Sequence, residues 1–305
     1  MTNETSARAN QPPTSPTSNR ISRPSIPALV LVSTPIGNLA DFSPRAREAL
    51  CEASAVLCED TRTSAVLLRA HGINTRTLAL HEHNESARIP ELLAAMQAGQ
   101  HFALISDAGT PLVSDPGYRL TRAVIEAGLP VSGIPGPNAA VLALTLSGLP
   151  PQPFLFAGFT PPKSGPRRSA LQTFRAAETA GLAATLIFYE APHRLAEFLA
   201  DAAAVFGPRP AAVARELTKH FEEIRRAPLD ELAAHYATHE ARGEICVVIG
   251  PAPAESASAQ TLETALRTAL ATLSVKDAAA AVATALGLPR KQVYQKALEL
   301  ARPGA

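Results

Sequence analysis

Ser106-Asp107-Ala108-Gly109-Thr110-Pro111-Leu112-Val113-Ser114-Asp115-Pro116-Gly117 is the stretch that decides how this chain folds. It follows directly on the apolar run Phe102–Ile105 and leads into a helical pattern from about Gly117 to Ala127, stopped by Gly128. A strand that breaks into a glycine- and proline-rich turn and re-emerges as a helix is the repeating unit of an open α/β sheet. Two shorter stretches repeat the arrangement. Ser33-Thr34-Pro35-Ile36-Gly37-Asn38 comes after the apolar run Ala28–Val32, and Pro135-Gly136-Pro137-Asn138 comes after Pro130–Ile134. In such sheets the turns gather at the carboxyl edge of the strands, where ligands bind. Glycine admits a ligand close to the backbone and proline stiffens the loop. Three such turns in order therefore predict a binding edge.

Between these turns the alternation continues. Ser43-Pro44 is a helix start with proline at the first helical position. The run Ala55–Cys58 ends in Glu59-Asp60-Thr61-Arg62 and opens a helix to about Ala70, stopped by Gly72. A short strand at Thr77–Leu80, the polar stretch His81–Glu85 and a helix to about Ala98 follow, and Asn138 caps a helix closed by Gly148. Regular alternation of this kind predicts a mostly parallel sheet covered on both faces. Leu149-Pro150-Pro151-Gln152-Pro153 reads as a hinge into a second α/β block. Its strands are expected at Phe154–Phe159, Thr185–Tyr189, Ala211–Ala214 and Ile245–Ile249, and its helices at about Arg167–Ala177, Pro192–Val205 and Leu229–Thr238. Residues 251–260, rich in Ala, Pro and Ser, read as a linker. Two helices, Ala278–Leu286 and Arg290–Leu300, then flank a tight turn, either as a helix-turn-helix or as a plain hairpin packed on the body. The expected division is a disordered tail (1–27), an N-terminal α/β domain (28–149), a C-terminal α/β domain (150–250), the linker, and a helical extension (261–305).

Composition sets the limits. With 305 residues, 46% of them hydrophobic and 18% charged, the chain has material for two cored domains. A net charge of +1 gives no global reason to expect a polyanion, but the positive excess sits in residues 1–27 and 262–305, so any nucleic acid would be met by local patches. Cys51, Cys58 and Cys246 are an odd set without Cys-x-x-Cys spacing, which points to free thiols in a reducing compartment. No apolar stretch approaches the roughly 20 residues that span a bilayer. The first 27 residues lack the apolar centre of a secretory signal. A cytoplasmic protein is expected.

The chemistry is narrowed mostly by what is missing. No G-x-G-x-x-G follows the first strand and no phosphate-cradling G-x-x-x-x-G-K-[ST] occurs. Proline in the loops also removes the N–H donors that a phosphate nest needs, so the loops suit a neutral or cationic ligand. His81-x-His83 has two possible metal ligands but no third. Asp107 and Asp115 flank the central loop as ligand contacts or as turn caps. Glu190-Ala191-Pro192-His193-Arg194 and Arg215-Glu216-Leu217-Thr218-Lys219 place charged groups after two strands of the second block, either facing a cleft or forming surface salt bridges.

As a set, these motifs carry a resemblance. Ser33–Leu39, Cys58–Arg62, Ser106–Gly117, Pro135–Asn138, Phe188–Arg194 and Arg215–Lys219 resemble the tetrapyrrole methylase family of S-adenosylmethionine-dependent enzymes, over about Ala28 to Gly250. The terminal helix pair is similar to the helix-turn-helix-like extension of the family's ribosomal RNA-modifying branch. The resemblance implies an α/β fold of two domains, of the class III methyltransferase type, with S-adenosylmethionine between the domains. It implies a homodimer that methylates the ribose 2′-oxygen of one cytidine in the decoding region of 16S rRNA in the small ribosomal subunit. Carried over by position, it places Gly37, Asn38, Gly109, Thr110, Val113, Asn138, Ala139, Tyr189, Ala214 and Glu244 at the donor, with Thr110 standing where many relatives have Asp. A ribose hydroxyl needs its proton removed, and Asp60, Glu190 and His193 are the expected candidates. Arg62, Arg215 and Lys219 are expected to hold RNA phosphates. The alternatives are a tetrapyrrole, small-molecule or protein methyltransferase of the same fold, and a non-catalytic RNA-binding assembly factor.

Overall fold

The computed structural model of the chain describes residues 27–252, 254–286 and 288–301; the expected tail falls almost wholly outside the described residues. The first half builds a sheet from β1 (Leu29–Val32), β2 (Ala55–Cys58), β3 (Thr77–Ala79), β4 (Phe102–Ile105) and β5 (Val131–Ile134), in the order β3-β2-β4-β1-β5. All its pairings are parallel, because each strand is followed by a helix that must cross back over the sheet. On one face α1 (Pro44–Glu52) and α2 (Thr61–Ala70) bring Leu50, Leu67 and Leu68 against Val32, Val56 and Ile105. On the other, α3 (Glu85–Gln97) and α4 (Tyr118–Glu126) bring Leu92, Met96, Leu120 and Val124 against Leu29, Leu57 and Leu104. Covering on both sides explains why every residue of β2 and β4 is buried and neither strand alternates. The strand order puts β1 between β4 and β5, so the carboxyl ends of the three strands that precede the glycine turns are neighbours.

The second sheet contains β6 (Phe154–Phe159), β7 (Thr185–Glu190), β8 (Pro210–Arg215), β9 (Glu223–Pro228) and β10 (Ile245–Ile249), in the order β6-β7-β10-β8-β9. Only β6 and β7 run parallel; β10 is antiparallel to both its neighbours, and β8 and β9 form an antiparallel pair. One face packs on α6 (Ser164–Thr179), α7 (Leu195–Phe206) and α8 (Leu229–Thr238), with Phe188 edge-on to Phe174 and tilted against Phe198 at its centre. The other face packs on α5 (Ala139–Ser147), whose Ala140, Ala143 and Leu144 meet Ile187, Ala212, Ala214 and Val248. Thus α5 precedes the proline hinge in sequence but lies against the second sheet, and it joins the two halves.

Two expectations require correction. β9 has no counterpart in the sequence reading: its residues, Glu-Ile-Arg-Arg-Ala-Pro, are too charged for a strand pattern. It is an edge strand, where charge is tolerated and discourages further pairing, and Glu223 accepts from Arg215 and Arg225 at 2.9 and 2.8 Å. The stretch 251–260 is not a linker throughout, because α9 (Ala254–Leu270) begins within it; beyond the prolines its Ala, Glu and Gln residues favour a helix. With α10 (Val275–Leu286) and α11 (Arg290–Leu300), α9 encloses Leu262, Leu266, Val282, Val293 and Ala297 in a small core of its own. Among the described residues no helix is long and apolar enough to cross a membrane.

Candidate active site

The three glycine turns are stitched together. Thr34 N–H donates to the Gly109 carbonyl at 2.8 Å and Gly109 N–H returns to the Thr34 carbonyl at 3.1 Å, a one-residue antiparallel bridge between first and central loops. Thr110 Oγ1 donates to the Pro137 carbonyl and accepts from Asn138 Nδ2, both at 3.1 Å, tying the central loop to the third. Gly136 is required by close approach, since a Cβ there would lie 2.8 Å from Ser33 Cβ. Asn138 also caps α5, its Oδ1 accepting from Val141 N–H at 3.1 Å. Asn138→Ala is therefore expected to destabilise the fold by about 1 kcal/mol as a lost cap, read as a modest fall in the thermal unfolding midpoint.

Above this floor lies a cleft of about 330 Å³ between the two sheets. Gly109, Thr110, Val113, Asn138 and Ala139 line it from the first half, and Tyr189, Ala214 and Glu244 from the second. Phe159, Ile245 and Cys246, which lie outside the quoted motifs, and Leu217 of the Arg215–Lys219 motif add to the wall. Tyr189 stands edge-on to Phe156 at 4.8 Å and to Phe159 at 5.7 Å, and burial raises its hydroxyl so that it stays protonated. Burial likewise pushes the Cys246 thiol up to about 12. Among the described residues, the left-handed non-glycine backbones are Leu112 (φ 72°), Ser114 (φ 67°), Glu216 (φ 52°) and Thr218 (φ 66°). All four sit in the loops that flank this cleft, and strain of that kind persists only where the surroundings enforce it.

The other expected residues lie elsewhere or are already engaged. Asn38 does not line the cleft; its Oδ1 accepts from Ala40 N–H at 3.0 Å and caps a short 3-10 turn. Gly37 borders a neighbouring hollow of about 390 Å³ that shares Ile36, Ala108 and Glu244 with the cleft. The stem of Lys219 crosses directly over Gly37, where a Cβ would collide with Lys219 Cγ. Lys219 Nζ itself sits between Glu216 at 2.8 Å and Glu244 at 3.1 Å. Arg215 is held by Glu223 at 2.9 Å, whereas Arg62 has 90% of its side chain exposed while pairing with Asp60 at 2.8 Å.

The three expected bases have very different surroundings. Asp60 is the N-cap of α2, and the Arg62 guanidinium and N–H hold its carboxyl down at about 2, a poor proton acceptor. Glu190 does line the cleft but is 2% exposed, and both its oxygens are engaged. One accepts from Ala191 N–H at 2.8 Å and lies 3.1 Å from Arg194 Nε as an ion pair, and the other accepts from Thr160 Oγ1 and Arg194 Nη2, both at 3.3 Å. His193 is exposed on the 3-10 turn Pro192–Arg194 and does not border the cleft. Asp115 does border it, and burial followed by repulsion from Glu59 pushes its carboxyl up to about 6.

Comparison with known proteins follows the same division of the chain. The family model described as Tetrapyrrole (Corrin/Porphyrin) Methylases matches residues 28–233, and that described as RsmI C-terminal HTH domain matches residues 255–301. The protein named ribosomal RNA small subunit methyltransferase I in Mesorhizobium japonicum is 51% identical over 91% of this chain and 94% of its own. Its namesake in Escherichia coli O157:H7 is 46% identical over 89% of this chain and 94% of its own. Among solved structures, a diphthine synthase covers 77% of this chain and 95% of its own with a TM-score of 0.56 at 14% identity, a likeness of fold alone.

Proposed function

The chain belongs to the tetrapyrrole methylase family as a methyltransferase, and we propose that it methylates the ribose 2′-oxygen of a cytidine in the decoding region of 16S rRNA with S-adenosylmethionine as donor. One observation supports the donor above the others. Among the described residues bordering the cleft there is no Lys, Arg or His, whereas Asp115, Glu190 and Glu244 are there. Such a cavity repels phosphate-bearing cofactors and suits a cation, and the neutral Tyr189, Ala214, Ile245 and Cys246 offer an apolar wall beside it. S-adenosylmethionine, when bound, supplies a methyl group on a cationic sulfur with a neutral leaving group, so much of the rate comes from positioning. Backbone groups of Val113 and Ala139, with the Asn138 side chain, would hold it on the floor that Gly109 stitches together. The neighbouring hollow, bordered by Gly37, Asp107 and Lys219, would receive part of the acceptor.

The acceptor reading is supported by the names of relatives that match this chain nearly end to end, helical extension included. Arg62 is the best placed phosphate contact, being the most exposed of the three expected cations. The reading extends to a homodimer working on the small subunit in the cytoplasm. Mapping ribose methylation on rRNA from cells lacking the protein tests it: one methyl group should vanish from the decoding region and return with the gene. An unchanged map, or transfer of labelled methyl to a porphyrin precursor in preference to small subunits, would overturn the acceptor assignment. Because Asp60 is tied to Arg62 and stays ionised at every working pH, Asp60→Ala is expected to lower methyl transfer less than about tenfold and to leave its pH profile unchanged.

A further inference from the structure

Of the three carboxylates bordering the cleft, two are committed. Glu190 is saturated by Arg194, Thr160 and the Ala191 N–H, and Glu244 accepts from Lys219 at 3.1 Å. Asp115 has no ion-pair partner among the described residues, and the Ser106 hydroxyl near it donates instead to the Ala108 and Gly109 carbonyls, each at 3.2 Å. The titratable groups that face it are Glu59 at the end of β2, Asp107 at the start of its own loop, and Tyr189 across the cleft on β7, and none is a cation. Its backbone is rigidly set. Ser114 before it is left-handed, and Gly117 two residues on is left-handed at φ 112°, where a Cβ would collide with Leu104.

We propose that Asp115 is the general base of the reaction, resting on the ribose-methylation reading above. A carboxylate oxygen of Asp115 takes the hydroxyl proton as the ribose oxygen forms its bond to the methyl carbon and the bond from that carbon to sulfur breaks. The sulfur leaves as a neutral thioether, and the proton later passes from Asp115 to water. Burial with no cation nearby makes this carboxylate more basic than an ordinary one while leaving it ionised above about pH 6. The sign follows: the working form is the anion, so the rate rises through that pH and levels off above it.

The test compares wild type with Asp115→Asn, which keeps size and hydrogen bonding. Three measurements are made: calorimetric binding of S-adenosylmethionine, single-turnover methyl transfer to small subunits from pH 5 to 9, and a carbon-detected titration of the Asp115 carboxyl in the free protein. Expected are donor binding weakened by no more than about tenfold, since Asp115 is one of the carboxylates bordering the cationic donor, transfer at saturating donor slower by on the order of a hundredfold or more, and loss of the acid limb. The wild-type carboxyl should titrate near that limb. Transfer within tenfold of wild type, or loss of donor binding with the variant folded, would overturn the proposal. If the variant fails to fold, the wild-type protein decides: a carboxyl that titrates below pH 5, or a rate flat from pH 5 to 7, overturns it. A wild-type protein that binds donor but methylates no small subunits sinks the acceptor reading instead, so the two failures are distinct.

Discussion

Glu178→Ala should lower the free energy of unfolding by about 3–5 kcal/mol, the cost of stranding a buried charge. Arg209 is 2% exposed, and its guanidinium meets both Glu178 oxygens, one of them from Nη2 at 3.1 Å. Without that carboxylate its remaining partners are the Phe206 and Gly250 carbonyls, each at 3.3 Å, and the Phe206 ring 4.9 Å beneath. An arginine does not escape by losing its proton. Glu178 has an easier recourse, since it can bind a proton and still has Arg175 at 3.2 Å. Arg209→Met is therefore the milder of the two changes, and Glu178→Leu with Arg209→Met should come close to wild type because both charges leave together. Urea unfolding of the four proteins gives the order. A Glu178→Ala midpoint equal to that of wild type would show that Arg209 reaches water. The pair joins the end of α6 to the start of β8 and the end of β10, behind the strands whose other ends wall the cleft at Ala214 and Ile245. Loss of the pair should thus weaken donor binding only through loss of fold.

Legibility followed how local the signal was. β2, β4 and β10 have the limits that apolar runs and turn residues suggest, because a strand buried on both faces writes its length in unbroken hydrophobic residues. β9 was illegible for the opposite reason: an edge strand held by Arg215, Glu223 and Arg225 looks like a solvated loop until its neighbour is in place. The placement of α5 on the second sheet was hidden because its small apolar residues suit either domain equally well. In the site, the turn motifs announce Gly109, Thr110 and Asn138, where backbone geometry itself demands the residue type. Charged positions misled. Asp60 and Glu190 sit in motifs that look reactive, but their partners Arg62 and Arg194 are motif members too, and each pair is closed on itself. What distinguishes Asp115 is the lack of a counter-charge around it, a property of three-dimensional surroundings that no local pattern records.

Gly109→Val should abolish donor binding at concentrations that saturate wild type, a loss on the order of a hundredfold or more, while the protein stays folded. Gly109 holds φ at 81°, and a Cβ there would sit 3.3 Å from Ile36 Cγ2. A β-branched side chain in that backbone region costs about 1–2 kcal/mol, and forcing it against Ile36 adds typically 1–3 kcal/mol. Each 1.4 kcal/mol is a factor of ten in affinity. The loop can shed this strain by giving up the paired hydrogen bonds with Thr34, so the free protein relaxes and the donor must restore the floor each time it binds. The deficit therefore falls on binding more than on stability. Gly128→Val supplies the contrast: φ is 71° and no atom lies within 4 Å of its Cβ, at the end of α4 and away from the cleft. It should lower the melting temperature and leave calorimetric affinity unchanged. If Gly109→Val binds the donor as wild type does, the Thr34–Gly109 bridge is not the floor on which S-adenosylmethionine rests, and the assignment of this cleft to the methyl donor fails with it.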